Sequence, residues 1–172
     1  GVFVVMEALR LVPKSRLKCA VYAVSTVQEE LGMRGAYTST FGIDPQAGIA
    51  VDVTHATDYP GVDEKRTGRI QLRKGPAVAR GANINPPLRE LMVQAAQKLD
   101  IPFQTDPAPR GTGTDANIIQ ITRAGVAAGI VSIPNRYMHS PNEVISFKDL
   151  DTAVQLITAF ITSLDDDFDL SR

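Results

Sequence analysis

The sequence predicts an α/β fold, a mainly parallel sheet sandwiched between helices. Three observations carry that expectation. Apolar runs of strand length recur at residues 17–26, 48–54 and 125–133. Amphipathic segments with helical period lie at 86–99 and 147–164. The two kinds alternate along the chain, the order expected when helices cross between parallel strands.

Taken in order, residues 2–12 read as a helix stopped near Pro13, with Val2, Met6 and Leu9 on one face and Val5 adjoining. That helix opens without a cap or a signal-peptide flank. It reads as cut at its first turn, so the expectation is a longer polypeptide. Residues 17–26 are mostly small or β-branched and read as a buried strand. Residues 31–40 have weak helical character and lead to a turn at 41–45. A second buried strand covers 48–54, with Asp52 embedded near its end. Residues 59–68 are a polar loop carrying a charge run, and 69–72 alternate as a short strand.

Residues 86–99 form a clear amphipathic helix with a stripe of Leu88, Leu91, Met92, Ala95 and Leu99. Pro86 and Pro87 suit its first turn. A short strand follows at 101–105. A tight loop at 111–115 then places Asp115 where it would cap a helix over 116–123. A third buried strand runs over 125–133 and stops at Pro134. The closing helix, to about residue 164, shares Leu150, Val154, Ile157, Phe160 and Ile161 on one face. The expected organisation is one unit over 1–164 and an acidic tail over 165–172, with Asp165, Asp166 and Asp167 disordered or solvated.

At 172 residues, 44% hydrophobic and 22% charged, the chain can bury a sizeable core. Its formal net charge of -1 supplies no basic field for phosphate backbones, and the aromatics are too sparse for a base-stacking surface. No nucleic-acid partner is expected. No apolar run reaches the length of a membrane span, so no membrane partner is expected either. The single Cys19 cannot make an internal disulfide and reads as a small buried hydrophobe, consistent with a reducing cytoplasm. Gly111 to Thr114 lacks the lysine and spacing of a phosphate loop.

The chemistry concentrates at Glu29-Glu30, where an apolar run opens onto two adjacent carboxylates and then Leu31-Gly32. Adjacent like charges repel, and desolvation raises their pKa values. A metal hydrolase uses that arrangement, one carboxylate holding a divalent ion and the other taking a proton from water. A solvated strand end or a helix N-terminus favoured by its dipole accounts for the dipeptide equally well. Asp52 needs a partner or a metal, and a hydrogen bond to Thr54 would also serve. His139 follows the third apolar strand, either as a ligand or as a surface-loop histidine. His55 reads as structural or solvated, or as a residue orienting Asp52. Together Glu30, Asp52 and His139 mix carboxylate and imidazole at three strand ends, a donor set that suits zinc, cobalt or manganese.

Five segments in order carry a resemblance. They are residues 24–36 (Val24 to Ala36, around Glu29-Glu30), 50–56 (around Asp52), Gly75-Pro76, Gly113-Thr114-Asp115-Ala116, and 133–143 (Ile133 to Glu143, around His139). With these the chain resembles the glutamyl aminopeptidase family of co-catalytic metallopeptidases. That family includes the tetrahedral (TET) aminopeptidases, and some members carry the label cellulase M or endoglucanase. The resemblance implies a zinc-peptidase-like domain incomplete at its N-terminus, and two divalent ions, zinc or else cobalt or manganese. It implies Glu29 as general base, Glu30 and His139 as ligands of one ion, and Asp52 as ligand of the other. An upstream histidine and a bridging aspartate, both expected in the family, precede this chain, as does the family's β-rich inserted domain. Asp115 and Arg136 are assigned to substrate binding, with a helix cap as the alternative for Asp115. The implied activity is hydrolysis of the N-terminal peptide bond of peptides by a cytoplasmic homo-oligomer, a dodecamer by family resemblance. A related di-metal carboxypeptidase or amide deacylase, and a non-catalytic fragment without metal, are the alternatives. A glycosidase is a poor fit, because neighbouring carboxylates cannot flank a sugar bond from opposite sides.

Overall fold

The structure, a computed structural model, describes residues 1–165 and 168–170. The helices are α1 (Val2–Leu11), α2 (Arg34–Ile43), α3 (Glu64–Thr67), α4 (Pro86–Lys98), α5 (Ala116–Ile119) and α6 (Phe147–Ser163). The strands are β1 (Ala47–His55), β2 (Ala77–Gly81), β3 (Gln104–Ala108), β4 (Ala127–Arg136) and β5 (Val144–Ile145). The sheet runs β1-β4-β2-β3, with β5 also on β4. β1 lies parallel to β4 from Ala47↔Ala127 to His55↔Asn135, and β2 lies parallel to β3. A short antiparallel contact, Ala77↔Ser132 and Val78↔Val131, joins the two pairs. The sheet is thus mostly parallel and is covered by helices on both faces.

β4 organises the layers because it is buried along nearly its whole length, as a central strand covered on both faces must be. Val131 and Ile133 face the larger core, built with α1, α4 and α6. Ala128 and Ile130 face the smaller core, built with α2 and α5. Gly129 permits close packing on the larger side, since a Cβ there would stand 2.9 Å from Met92 Cε. α4 begins as the sequence expects: Asn85 caps it by accepting from Leu88 N–H at 2.8 Å, ahead of Pro86 and Pro87.

α6 is fixed through Asp149, which is 0% exposed. Rather than bonding back to its own helix start, its carboxylate accepts Arg73 N–H at 2.6 Å and Gly75 N–H at 2.9 Å. Both donors sit in left-handed backbone before β2. Asp149→Ala would strand two amides beside a buried site, so stability is expected to fall by about 3 kcal/mol. Asp149→Asn, which keeps one acceptor oxygen, is expected to lose less. Chemical denaturation of both variants checks the order.

Several sequence expectations change. Residues 17–26 are extended, with Leu17, Cys19, Val21 and Ala23 half-buried, but they form no ladder with any described strand. Cys19 is accordingly only half-buried. α1 buries Val4 (0% exposed) and Ala8, while Val2 and Met6 are each 54% exposed, so the opposite face from the expected one packs inward. Residues 41–43 belong to α2, which ends at a left-handed Asp44. The expected loop at 59–68 contains α3, capped by Asp63. Residues 69–72 are no strand; Ile70 is buried and its carbonyl accepts Thr57 N–H at 2.7 Å. β2 was not expected at all, and β3 lies three residues beyond its expected start. β4 continues through Pro134, opposite Thr54. Of the acidic tail, Asp166 and Asp167 lie outside the described residues, while Leu170 folds back and its carbonyl accepts from Asn85 Nδ2 at 3.1 Å. No described helix is long and apolar enough to cross a membrane.

Candidate active site

Glu29 and Glu30 occupy a tight turn rather than a strand end. Gln28, Gly32 and Met33 all take positive φ, and Leu31, Gly32 and Met33 N–H groups close the turn onto Gln28 and Glu29 carbonyls. The turn is pressed onto the start of α2 by Gly35, whose N–H donates to Val27 C=O at 2.9 Å. A Cβ at Gly35 would meet Val27 N at 2.4 Å, so only glycine fits this approach. Two carboxylates are thereby aimed from one rigid bend.

Around that bend the chain gathers Asp52 from β1, Asp115 from the entry to α5, and His139 from the loop after β4. Burial is the main cause that pushes the Glu29 carboxyl up, followed by the charges of Asp52, Glu30 and Asp115; His139 pulls it down. Burial also raises Asp52, against a 2.7 Å bond from Val53 N–H. Asp115 does not cap α5 with its side chain. Its Oδ2 accepts from Thr26 Oγ1 at 2.7 Å, and its Oδ1 is buried with no partner. A cavity of about 730 Å³ opens here, with Glu29, Asp52 and Asp115 among its lining residues and apolar side chains of α1 and β1 beyond them.

His139 Nε2 stands 3.6 Å from Glu30 Oε1, at an exposed edge outside that cavity. Two residues far apart in sequence thus meet as a carboxylate–imidazole pair, a donor chemistry suited to zinc, cobalt or manganese. The chemistry fits, but the shell is partial. Among the described residues no group of three His, Cys, Asp or Glu side chains converges on a single ion position. His55 is exposed at the end of β1, opposite Asn135.

Arg136 is engaged elsewhere: its Nε and Nη2 donate to Asp58 Oδ1 and Oδ2 at 2.9 and 2.7 Å. The Arg136 guanidinium holds the Asp58 carboxyl below the usual carboxylate range. Next to this pair Tyr137 packs on Tyr59 with ring centroids 4.6 Å apart. Sequence reasoning missed Asp58, Tyr59 and Thr26 entirely. A half-buried arginine needing an anion was the only signal for Asp58, and nothing in the spacing pointed to which aspartate would serve.

The model of the M42 glutamyl aminopeptidase family matches residues 1–156. The chain is 47% identical to the lysyl aminopeptidase of Pyrococcus furiosus over 84% of its own length and 41% of that protein. It superposes on an aminopeptidase from the archaeon Desulfurococcus kamchatkensis with a TM-score of 0.84 at 43% identity, covering 94% of this chain and 45% of that one. A TET aminopeptidase from a Thaumarchaeota archaeon gives a TM-score of 0.87 at 34% identity, over 97% of this chain and 48% of that one. The chain therefore spans less than half the length of these relatives. From the family match along nearly its whole length, and from the agreement of both sequence and fold, the chain belongs to the M42 glutamyl aminopeptidase family.

Proposed function

We propose that this chain forms part of a di-metal aminopeptidase that hydrolyses the N-terminal peptide bond of peptides. The observation that carries the reading is the meeting of Glu30 with His139 at 3.6 Å, one residue along from a Glu29 whose carboxyl is pushed up by burial and by neighbouring charge. Glu30 and His139 would hold one divalent ion and Asp52 another, with zinc, cobalt or manganese matching these donors. Such ions supply Lewis acidity and an acidified water. The chain's own part is proton transfer. Glu29 takes a proton from the attacking water and returns it to the leaving amine. Asp115, whose Oδ1 has no hydrogen-bond partner, would receive the substrate's α-ammonium. Arg136 gives both its described side-chain bonds to Asp58 and lies outside the cavity lining, so its part in substrate binding rests on the family resemblance alone.

Charge favours an aminopeptidase over a carboxypeptidase. Glu29, Glu30, Asp52 and Asp115 lie close enough for their charges to act on one another. A substrate carboxylate entering that cluster is repelled, whereas an ammonium group is attracted. The full-length gene product is expected to cleave leucine or glutamate anilides and to spare their N-acetylated forms. Preference for the blocked substrates would favour an amide deacylase and overturn the reading. A cytoplasmic homo-oligomer of the TET kind belongs to the same proposal, supported by the structural likeness to a TET aminopeptidase.

The ligand assignment has its own expected outcome. Glu30→Ala or His139→Ala lowers metal content at one site, and Asp52→Ala at the other, because each leaves an incomplete shell that mild chelation empties. Metal analysis after dialysis against a weak chelator checks this. Two ions retained per chain in all three variants would remove these residues from the metal centre.

A further inference from the structure

The loop from β4 to β5 carries His139 in unfavourable backbone: both Tyr137 (φ 59) and His139 (φ 63) are left-handed without being glycine. Such conformations persist only where surrounding bonds over-determine them. Glu143 makes those bonds. Its Oε1 accepts His139 N–H at 2.7 Å, and its Oε2 accepts Asn135 Nδ2 at 2.7 Å. Asn135 is itself anchored: it is 1% exposed, sits in β4, and its carbonyl accepts Ala56 N–H at 2.9 Å. One carboxylate therefore ties the backbone of an exposed histidine to a buried position in the central strand. The Asp58–Arg136 pair and the Tyr59–Tyr137 contact pin the start of the loop but do not reach His139.

We infer that Glu143 is a positioning residue that straps the loop across Asn135 and so presents the His139 imidazole to Glu30. The inference rests on the reading of Glu30 and His139 as ligands of one ion. Glu143 touches neither substrate nor ion in this role. It acts by removing the freedom of His139 to turn away, and residues that orient a ligand typically matter by about 10- to 100-fold in metal retention.

The test uses the full-length gene product loaded with cobalt, followed by its visible absorption and by release to a chelator. Glu143→Ala is expected to change the cobalt spectrum and to speed release from one site about 10- to 100-fold. The melting temperature of the metal-free protein should fall only modestly: Asn135 Nδ2 loses its acceptor, but Glu143 is exposed and its removal lets water reach that amide. Glu143→Gln keeps an acceptor for His139 N–H without the charge, and is expected to restore most of the retention. Amide hydrogen exchange without metal should show His139 losing protection in Glu143→Ala. Should Glu143→Ala fail to fold, Glu143→Asp decides, since it keeps the charge but is one methylene too short to span both donors; it must then show the spectral change. Parent-like spectrum and release in Glu143→Ala, or in Glu143→Asp where that variant decides, would overturn the strap alone, provided His139→Ala loses cobalt. Parent-like cobalt binding in His139→Ala would overturn the ligand reading and the strap with it.

Discussion

Glu29→Gln in the full-length gene product is expected to lower kcat by about 100- to 10,000-fold while metal content and fold stay as in the parent. The amide is nearly isosteric with the carboxylate, so the turn from Gln28 to Met33 has no reason to move. Its bonds are made by backbone groups, not by the Glu29 side chain. What the substitution removes is a proton acceptor whose affinity is raised by burial and by Asp52, Glu30 and Asp115. That raised value has a sign in the pH profile. A base works deprotonated, so activity falls as pH drops through the Glu29 pKa, and the raised value puts this acid limb above the ordinary carboxylate position. A dication held beside Glu29 moves it back down. In Glu29→Gln the residual activity should lose the limb altogether. Steady-state kinetics across pH, with metal content measured on the same samples, provide the check. Turnover near the parent's with metal in place would transfer the base role to another carboxylate of the cluster, Asp115 being the one with an unpartnered oxygen.

Where burial and period agree, the sequence is easily read. α4 begins and ends within a residue of expectation because its prolines and apolar stripe agree, and α6 starts at Phe147, the earlier of the two starts its apolar stripe allows. β1 and β4 were found because continuous apolar runs bury on both faces. α1 shows the opposite case. Val2, Phe3, Val4, Val5, Met6, Ala8 and Leu9 make it apolar on nearly every side, so periodicity cannot choose the face that packs. β2 escaped notice because Ala77, Val78 and Ala79 are small, short and unalternating, and only its neighbours β3 and β4 make it a strand. Residues 17–26 have strand character in full, yet a ladder needs a second strand, which no pattern within the segment can supply. In the site, Glu29, Glu30, Asp52 and His139 were visible as charges at the ends of apolar runs. Their neighbours were not. The partner of Arg136 lies in a polar loop, and the carboxylate under His139 is an ordinary surface glutamate until the fold brings Asn135 beside it.

The 172-residue chain by itself is expected to hydrolyse no peptide and to bind zinc weakly. Catalytic zinc sites use three protein ligands and leave one position open. On the proposed assignment Glu30 and His139 would offer two donors to one ion and Asp52 one to a second, and no described group of three donors converges. Two donors also leave the charge of a dication poorly offset, and two dications at the few-ångström spacing of co-catalytic sites repel strongly unless shared ligands screen them. Packing points the same way. The cavity of about 730 Å³ separates residues 19–24 from β1, and Tyr22 and Val24 stand exposed at its edge alongside Val2 of α1. Exposed apolar surface of this kind is a face the chain by itself leaves uncovered, next to the Thr26 that holds Asp115. The described residues are thus short of donors, and one apolar wall beside them is uncovered. Activity on leucine or glutamate anilide with added zinc or cobalt, together with calorimetric zinc titration, tests both points on a chain verified by mass to begin at Gly1. Robust, chelator-sensitive turnover by that chain would show that Glu29, Glu30, Asp52 and His139 suffice. The two-ion mechanism would then have to give way to one that needs no further ligand.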